Sequence, residues 1–210
     1  MNRTIGRIIT GFRISLALVL GVAVMPMPAA AQFSESYKFL DAVRKKDGDV
    51  VNEMLSKPST QIVNTRDITT GESALHIVTA RRDMVWIQFL VAKGANVNAR
   101  NGKGETPLEI AAELGFVEAV DFLIGSGARV DETNNTGSTP LIDAVSRRDL
   151  EVVRSLLKAG ANPDRPDNSG RSARDYAVLE GKESPILATI DSASKEHGNG
   201  KPRKTYGPTQ

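Results

Sequence analysis

The stretch "GETPLEIAAELGFVEAVDFLIGSGARVD", Gly104 to Asp131, decides the fold. Pro107 stands just ahead of apolar residues that recur at helical spacing, where a proline should break a helix. The conflict dissolves if Thr106 is the N-cap, its hydroxyl accepting from an orphan amide of the first turn. Pro107 then takes the first helical position, where its missing N–H costs nothing. Gly104 supplies a turn that β-branched residues could not adopt. Gly127, beyond the second apolar run, supplies a left-handed C-cap. The stretch predicts a turn followed by two short helices.

The same marks recur every 33 residues: Gly71, Gly104, Gly137 and Gly170, and likewise Ser73, Thr106, Thr139 and Ser172. Leu75, Leu108 and Leu141 follow in phase, then Val78, Ala111, Ala144 and Ala177. "LVAKGANVN", "LIGSGARVD" and "LLKAGANPD" bring Gly94, Gly127 and Gly160 into register. Upstream, "FLDAVRKKDGDVVNEML" from Phe39 aligns with "LIDAVSRRDLEVVRSLL" from Leu141 at an offset of 102 rather than 99, which predicts a longer loop around Pro58 to Asn64. Helices of two to three turns are marginal alone because nucleation is costly. Stacked units bury one another's apolar faces, and at least ~3 are needed. The pattern runs from Phe39 to near Ile190, about five units.

With its period, its Thr-Pro-Leu, its Ala-Ala pair and its Gly-Ala after the second helix, the quoted stretch resembles an ankyrin repeat. The resemblance implies an all-α solenoid of about five helix-turn-helix units, with short turn or hairpin projections and a concave groove. It also implies protein binding rather than catalysis. Ala74 and Ala173 depart from it by replacing the proline. The family's histidine position holds His76 once, with Glu109, Ile142 and Asp175 in the other units. Arg174 stands where leucine is expected, and Ser184-Pro185 predicts the start of a shortened last helix.

Residues 1–31 read as a secretory signal peptide. Arg3, Arg7 and Arg13 form the basic region, "ISLALVLGVAV" the apolar one, and Ala29 and Ala31 the small-residue cleavage positions. The apolar run is too short to cross a ~30 Å hydrocarbon core comfortably, so no stable membrane anchor is expected. The mature chain would begin at Gln32, cleaved after Ala31, and be periplasmic or secreted. Residues 32–66 read as an N-terminal capping repeat. Residues 67–190 read as four repeats, the last a degenerate cap, and residues 191–210 as a disordered basic tail. Without the leader's three arginines the net charge falls from +2 to −1, and the tail carries +2 of that, leaving the repeat body about −3. Such a balance does not support a nucleic-acid footprint. Cysteine is absent, so thiol nucleophiles and zinc thiolates are excluded.

The residue types that could carry chemistry have bland readings. His76, near a helix start, is read as bonding neighbouring turn backbone, and His197 has no partner in sequence. With two histidines and no motif for zinc, phosphate or a nucleophile, neither enzyme activity, cofactor nor metal is expected. Asp41 and Asp143 match in position but lie three repeats apart, too far for a catalytic dyad, and are read as groove-facing or capping acids. Trp86 is assigned to the core. "KKD", "RRD" and "RRD" at Lys45, Arg81 and Arg147 end the first helices, where cations complement the helix dipole. They can equally form a basic stripe beside the groove. The expected partner-facing residues are Thr69, Thr70, Glu72, Arg81, Arg100, Lys103, Glu105, Asn135, Thr136, Ser138 and Arg147. The leading expectation is a chain monomeric by itself that binds an unidentified protein through the groove. The alternative is a cell-envelope scaffold or polyanion binder working through the cationic tail and stripe. A hydrolase with an unrecognised site is the third class.

Overall fold

A computed structural model describes residues 29–57, 61–181 and 183–197, with side chains from 35 to 195 within those spans. Five helix pairs follow one another. The first helices are α1 (Ala29–Lys45), α3 (Ala74–Ala80), α5 (Pro107–Glu113), α7 (Pro140–Ser146) and α9 (Ala173–Leu179). The second helices are α2 (Gly48–Ser56), α4 (Met84–Ala92), α6 (Val117–Gly125), α8 (Leu150–Lys158) and α10 (Pro185–His197). A 3₁₀ turn, Ile62–Asn64, leads out of the first unit. Among the described residues there is no strand; two isolated bridges, Arg66 with Ser73 and Pro166 with Ser172, close the first and last of the turns, here called fingers, that precede α3, α5, α7 and α9.

The caps explain why the helices start where they do. Thr106, Thr139 and Ser172 each accept, at 3.2 Å, from the amide three residues on. The second helices use the aspartate of the KKD and RRD triplets: Asp47, Asp83 and Asp149 accept from Val50, Trp86 and Val152 at 3.1, 3.4 and 3.1 Å. The middle cation of each triplet is left-handed, with φ of 60° at Lys46, 57° at Arg82 and 59° at Arg148. That conformation costs a side-chain-bearing residue ~1–2 kcal/mol. Each of these cations reaches into the following unit, Lys46 to Asp83 at 3.0 Å, Arg82 to the Leu114 carbonyl at 2.6 Å, and Arg148 to Glu180 at 3.0 Å. The third unit places Gly115 there instead.

The core is continuous along the stack. First helices pack in the order α1, α3, α5, α7, α9, and second helices in the order α4, α6, α8, α10. Leu75, Leu108 and Leu141 are fully buried, as are Val78, Ala111, Ala144 and Ala177. Trp86 packs against this core while remaining partly exposed, its ring edge-on to Phe89 with centroids 5.8 Å apart.

Neighbouring fingers are laced at their tips. Gly102 N–H donates to the Thr70 carbonyl, Asn135 N–H to Lys103 and Asn168 N–H to Thr136, at 2.8, 3.0 and 3.0 Å. Inside each finger one carboxylate or amide oxygen gathers the turn's amides: Asp67, Asn101, Asn134 and Asp167. Counted back from the shared glycine, Asp67 lies four residues upstream and the other three lie three upstream, so the first finger holds one extra residue. Ile68 sits on that enlarged loop, 83% exposed.

The last unit departs from expectation in two ways. Its second helix is not shortened: α10 has 13 residues against nine in α8. Nor does a tail begin at residue 191, because α10 stays helical to His197. The reason is Arg174, which ion-pairs with Asp164 at 2.7 Å and with Asp191, and donates to Ser194 Oγ at 2.8 Å. A cation in the expected leucine position binds the far turns of α10 to α9. The remainder of the expected tail, and residues 1–28 of the expected signal peptide, lie outside the described residues. The expected cut after Ala31 falls inside α1.

Two finger glycines separate the demands on this position. Both are left-handed, with φ of 80° at Gly104 and 82° at Gly170. A Cβ on Gly104 would meet Asn135 Oδ1 at 2.4 Å and its backbone nitrogen at 3.0 Å, whereas at Gly170 it would meet nothing within 4 Å. Gly170→Ala should therefore cost ~1–2 kcal/mol, the conformational term alone. Gly104→Ala should cost more, because the next finger must also move. Urea melts of the two variants giving equal losses would refute the lacing of the tips.

Candidate functional site

The face built by the fingers and the first helices carries the residues with the most varied chemistry. Thr69, Thr70, Lys103, Asn135, Thr136 and Arg147 are exposed on it. The Arg147 guanidinium has no partner among the described residues, and Lys103 makes only a loose pair with Glu105 at 3.9 Å. Asn135 is exposed yet occupied, since its amide group donates to the Gly102 carbonyl at 3.1 Å as a rung of the finger lacing. Glu72 is half-buried and accepts from Thr70 Oγ1 at 3.1 Å.

Four of the expected partner-facing residues make internal bonds. Arg81 donates to the Val43 carbonyl of the preceding unit at 2.5 Å and to Asp83 at 3.2 Å, and lies 5.3 Å over the Trp86 ring. Arg100 pairs with Glu132 at 3.1 Å and donates to the Thr133 carbonyl. Glu105 accepts from the Asn101 side chain at 2.7 Å. Ser138 is 8% exposed and donates to Asp143 Oδ1 at 2.6 Å. At the first-helix ends Lys46, Arg82 and Arg148 lace unit to unit while staying exposed, and Arg147 is exposed beside Arg148. Ile68 is the exposed side chain that the strict period concealed.

The third helical position shows how one site in the repeat has been spent differently. His76, fully buried, accepts the Ser73 N–H on Nδ1 at 3.1 Å, and its Nε2–H donates to the Glu105 carbonyl at 3.0 Å. Asp175 makes the equivalent reach, accepting from Ser172 N–H at 2.8 Å. Ile142 puts hydrocarbon there. Glu109 is 1% exposed, and neither of its carboxyl oxygens has a hydrogen-bond partner of sound geometry, although the side chains of Asn134 and Asp143 face it. A buried carboxyl without donors should be neutral. Burial, then the charge of Asp143, pushes Glu109 up to about 8. Burial likewise raises Asp143 to about 6, with Glu113 and Glu105 adding repulsion against the help of Ser138. His76 moves the other way, lowered mainly by burial.

Asp143 therefore has a carboxyl neighbour, but it is Glu109 of the adjoining unit rather than Asp41. Asp41 pairs with Lys45 at 2.7 Å at the far end of the stack. Among the described residues no set of three or more His, Cys, Asp or Glu is arranged to hold a metal ion, and no helix is long and apolar enough to cross a membrane.

Comparison with known proteins agrees with the architecture. The chain matches the family model for ankyrin repeats, in three copies, over residues 39–134 and 115–187. It is 34% identical over 74 residues to diacylglycerol kinase iota of Mus musculus, and 32% identical over 74 residues to that of Homo sapiens. The match covers 35% of this chain and 7% of each kinase, a likeness confined to a small part of the larger proteins.

The buried carboxyls set a pH dependence. Because Glu109 and Asp143 titrate higher in the folded chain than in the unfolded one, the folded state holds extra protons between about pH 4 and about pH 8. Their contribution is intact below that window and is lost as pH rises through it. His76 acts oppositely, weakening the fold as pH drops below its ordinary value of 6.5. Glu109→Gln should leave stability nearly unchanged at pH 4.5 and raise it by ~1–3 kcal/mol at pH 8.5. Urea melts at the two pH values check this; parallel profiles for variant and parent would count against a neutral Glu109.

Proposed function

The chain belongs to the ankyrin repeat family, and on that premise we propose that it is an exported protein that binds a partner protein through the groove formed by its fingers and first helices. Repeats of this family are generally protein-interaction modules. The observation that carries the reading is the division of labour along the finger face. Arg81, Arg100, Glu105 and Ser138 are held in internal bonds, while Thr69, Lys103, Thr136 and Arg147 stand exposed beside them. A rigid row of tips with exposed polar ends suits recognition, because little side-chain and backbone order remains to be lost on binding. Export rests on the leader's three arginines, its short apolar run and Ala29 and Ala31 at the cleavage positions.

The alternative, a polyanion binder, draws its support from the lysines and arginine beyond residue 197. The two separate by experiment. Affinity capture of partners on the purified protein, repeated with Lys103→Ala, Thr136→Ala and Arg147→Ala combined, should lose about tenfold or more in partner affinity. The melt should shift by no more than ~0.5 kcal/mol, because these side chains are exposed. Deleting residues 198–210 should change little. A partner that ignores the triple variant but is lost with those residues, and that falls away steeply with salt, would favour the polyanion reading.

Export has its own check. The protein recovered from the periplasm or medium should have the intact mass of a chain starting at Gln32. Full-length chain retained in the membrane fraction would overturn that part of the proposal.

A further inference from the structure

Between the finger and first helix of the fourth unit and those of the fifth lies an open cavity of about 580 Å³. Its walls include Asn134, Ser138, Asp143, Ser146, Asp167 and Tyr176, and its only charged lining residues are the two aspartates. They differ in what they have left to offer. Asp167 is satisfied, Oδ1 by the amides of Ser169 and Arg171 at 2.8 and 3.1 Å and Oδ2 by the Tyr176 hydroxyl at 2.7 Å. Asp143 takes the Ser138 hydroxyl and faces three carboxyls: Glu105 from the preceding finger and Glu113 from α5 oppose its charge, whereas Glu109 of α5, as a hydrogen-bonding neighbour, favours it.

Glu109 lies behind the wall. Its carboxyl is 1% exposed and faces Asn134 and Asp143, both lining residues, with no hydrogen bond of sound geometry on either oxygen. Buried acceptors left without donors are costly, and the cost is relieved by whatever brings N–H groups and positive charge to them. No trio of ligating side chains is arranged for a metal ion among the described residues, so the cation should carry its own donors. A guanidinium carries five in a planar fork that bridges carboxyl oxygens, and it stacks on aromatic rings. Arg171, outside the lining, lies over the Tyr176 ring at 6.0 Å.

We propose that this cavity is the specificity pocket of the groove, receiving an arginine side chain of the partner protein on Asp143, with Glu109 as the positioning residue behind it. The inference rests on the groove reading above and adds the chemistry of what the groove selects. An arginine entering at Asp143 favours the ionised form of the pair, so binding should strengthen as pH rises and Glu109 loses its proton. The groups facing Asp143 from the elements around it are Glu105, Glu109 and Glu113.

The test uses the purified protein, ¹⁵N-labelled, titrated with N-acetyl-arginine methylamide and with its neutral isostere N-acetyl-citrulline methylamide. Saturable amide shifts should cluster at residues 134–146 and 167–176 for the arginine probe. The citrulline probe and the Asp143→Asn variant should each bind about tenfold more weakly, the loss expected for one charge-assisted contact. Binding of the arginine probe should strengthen from pH 5.5 to 8.5, and Glu109→Gln should flatten that slope. Ser146→Arg, on an exposed lining residue, should block the site and keeps the test sound if Asp143→Asn fails to fold. Equal binding of the two probes, shifts located elsewhere, or tighter occupancy by Ca²⁺ or Mg²⁺ alone would overturn the proposal. If the probes fail while the Lys103, Thr136 and Arg147 triple variant still loses its partner, the pocket chemistry is wrong and the groove reading stands. If that variant also keeps its partner, both fall.

Discussion

A helix of seven residues cannot hold itself together in water, and four of the five first helices here are of that length. Everything else follows from the need to lend each of them a neighbour. Leucine and alanine recur fully buried along the first helices, the leucines burying hydrocarbon and the small alanines permitting close approach. The threonine-proline start removes the need for one amide and satisfies another. What propagates along the stack is then a nearest-neighbour interface repeated four times, in which no unit is stable apart from the next.

That dependence explains why charged side chains are spent on lacing. Lys46, Arg82 and Arg148 occupy a backbone conformation that glycine would take at no cost, and each uses its length to reach the following unit. Arg174 performs a related task in the last described unit, where it ties the far turns of α10 to α9. The face of fingers and first helices is left to differ from unit to unit. There the third helical position ranges from a fully bonded histidine to a carboxyl with no donor, and the variation falls beside the open cavity.

The architecture was legible because its determinants are local: glycines at a fixed period, threonine-proline caps and apolar residues in phase all act within one unit. What was illegible depends on direction and on contacts across units. Glu109 and Asp143 stand one residue off the strict period, so comparing like with like along the repeat paired Asp143 with the distant Asp41 instead. Arg81 and Ser138 have polar types that suggest exposure, and only the packed neighbours reveal that they point into bonds with Val43 and Asp143. The extra residue of the first finger escaped because it lies upstream of the glycine used to set the register. Likewise Arg174 reads as a defect until Asp164, Asp191 and Ser194 are seen around it.

The lacing of the finger tips also gives the stack a direction. Three tip amides donate backward to the tip carbonyl of the finger before: Gly102 to Thr70, Asn135 to Lys103 and Asn168 to Thr136. Among the described residues the series ends at Ser169, whose carbonyl occupies the same place as those three, and beside it Gly170 looks onto open space. A duplicated unit joined at this end would find its first rung waiting, whereas one joined at the other end would have to present an acceptor of its own. Growth of such a chain by duplication is thus polar, and α10 with its arginine clasp lies at the end where the open rung is.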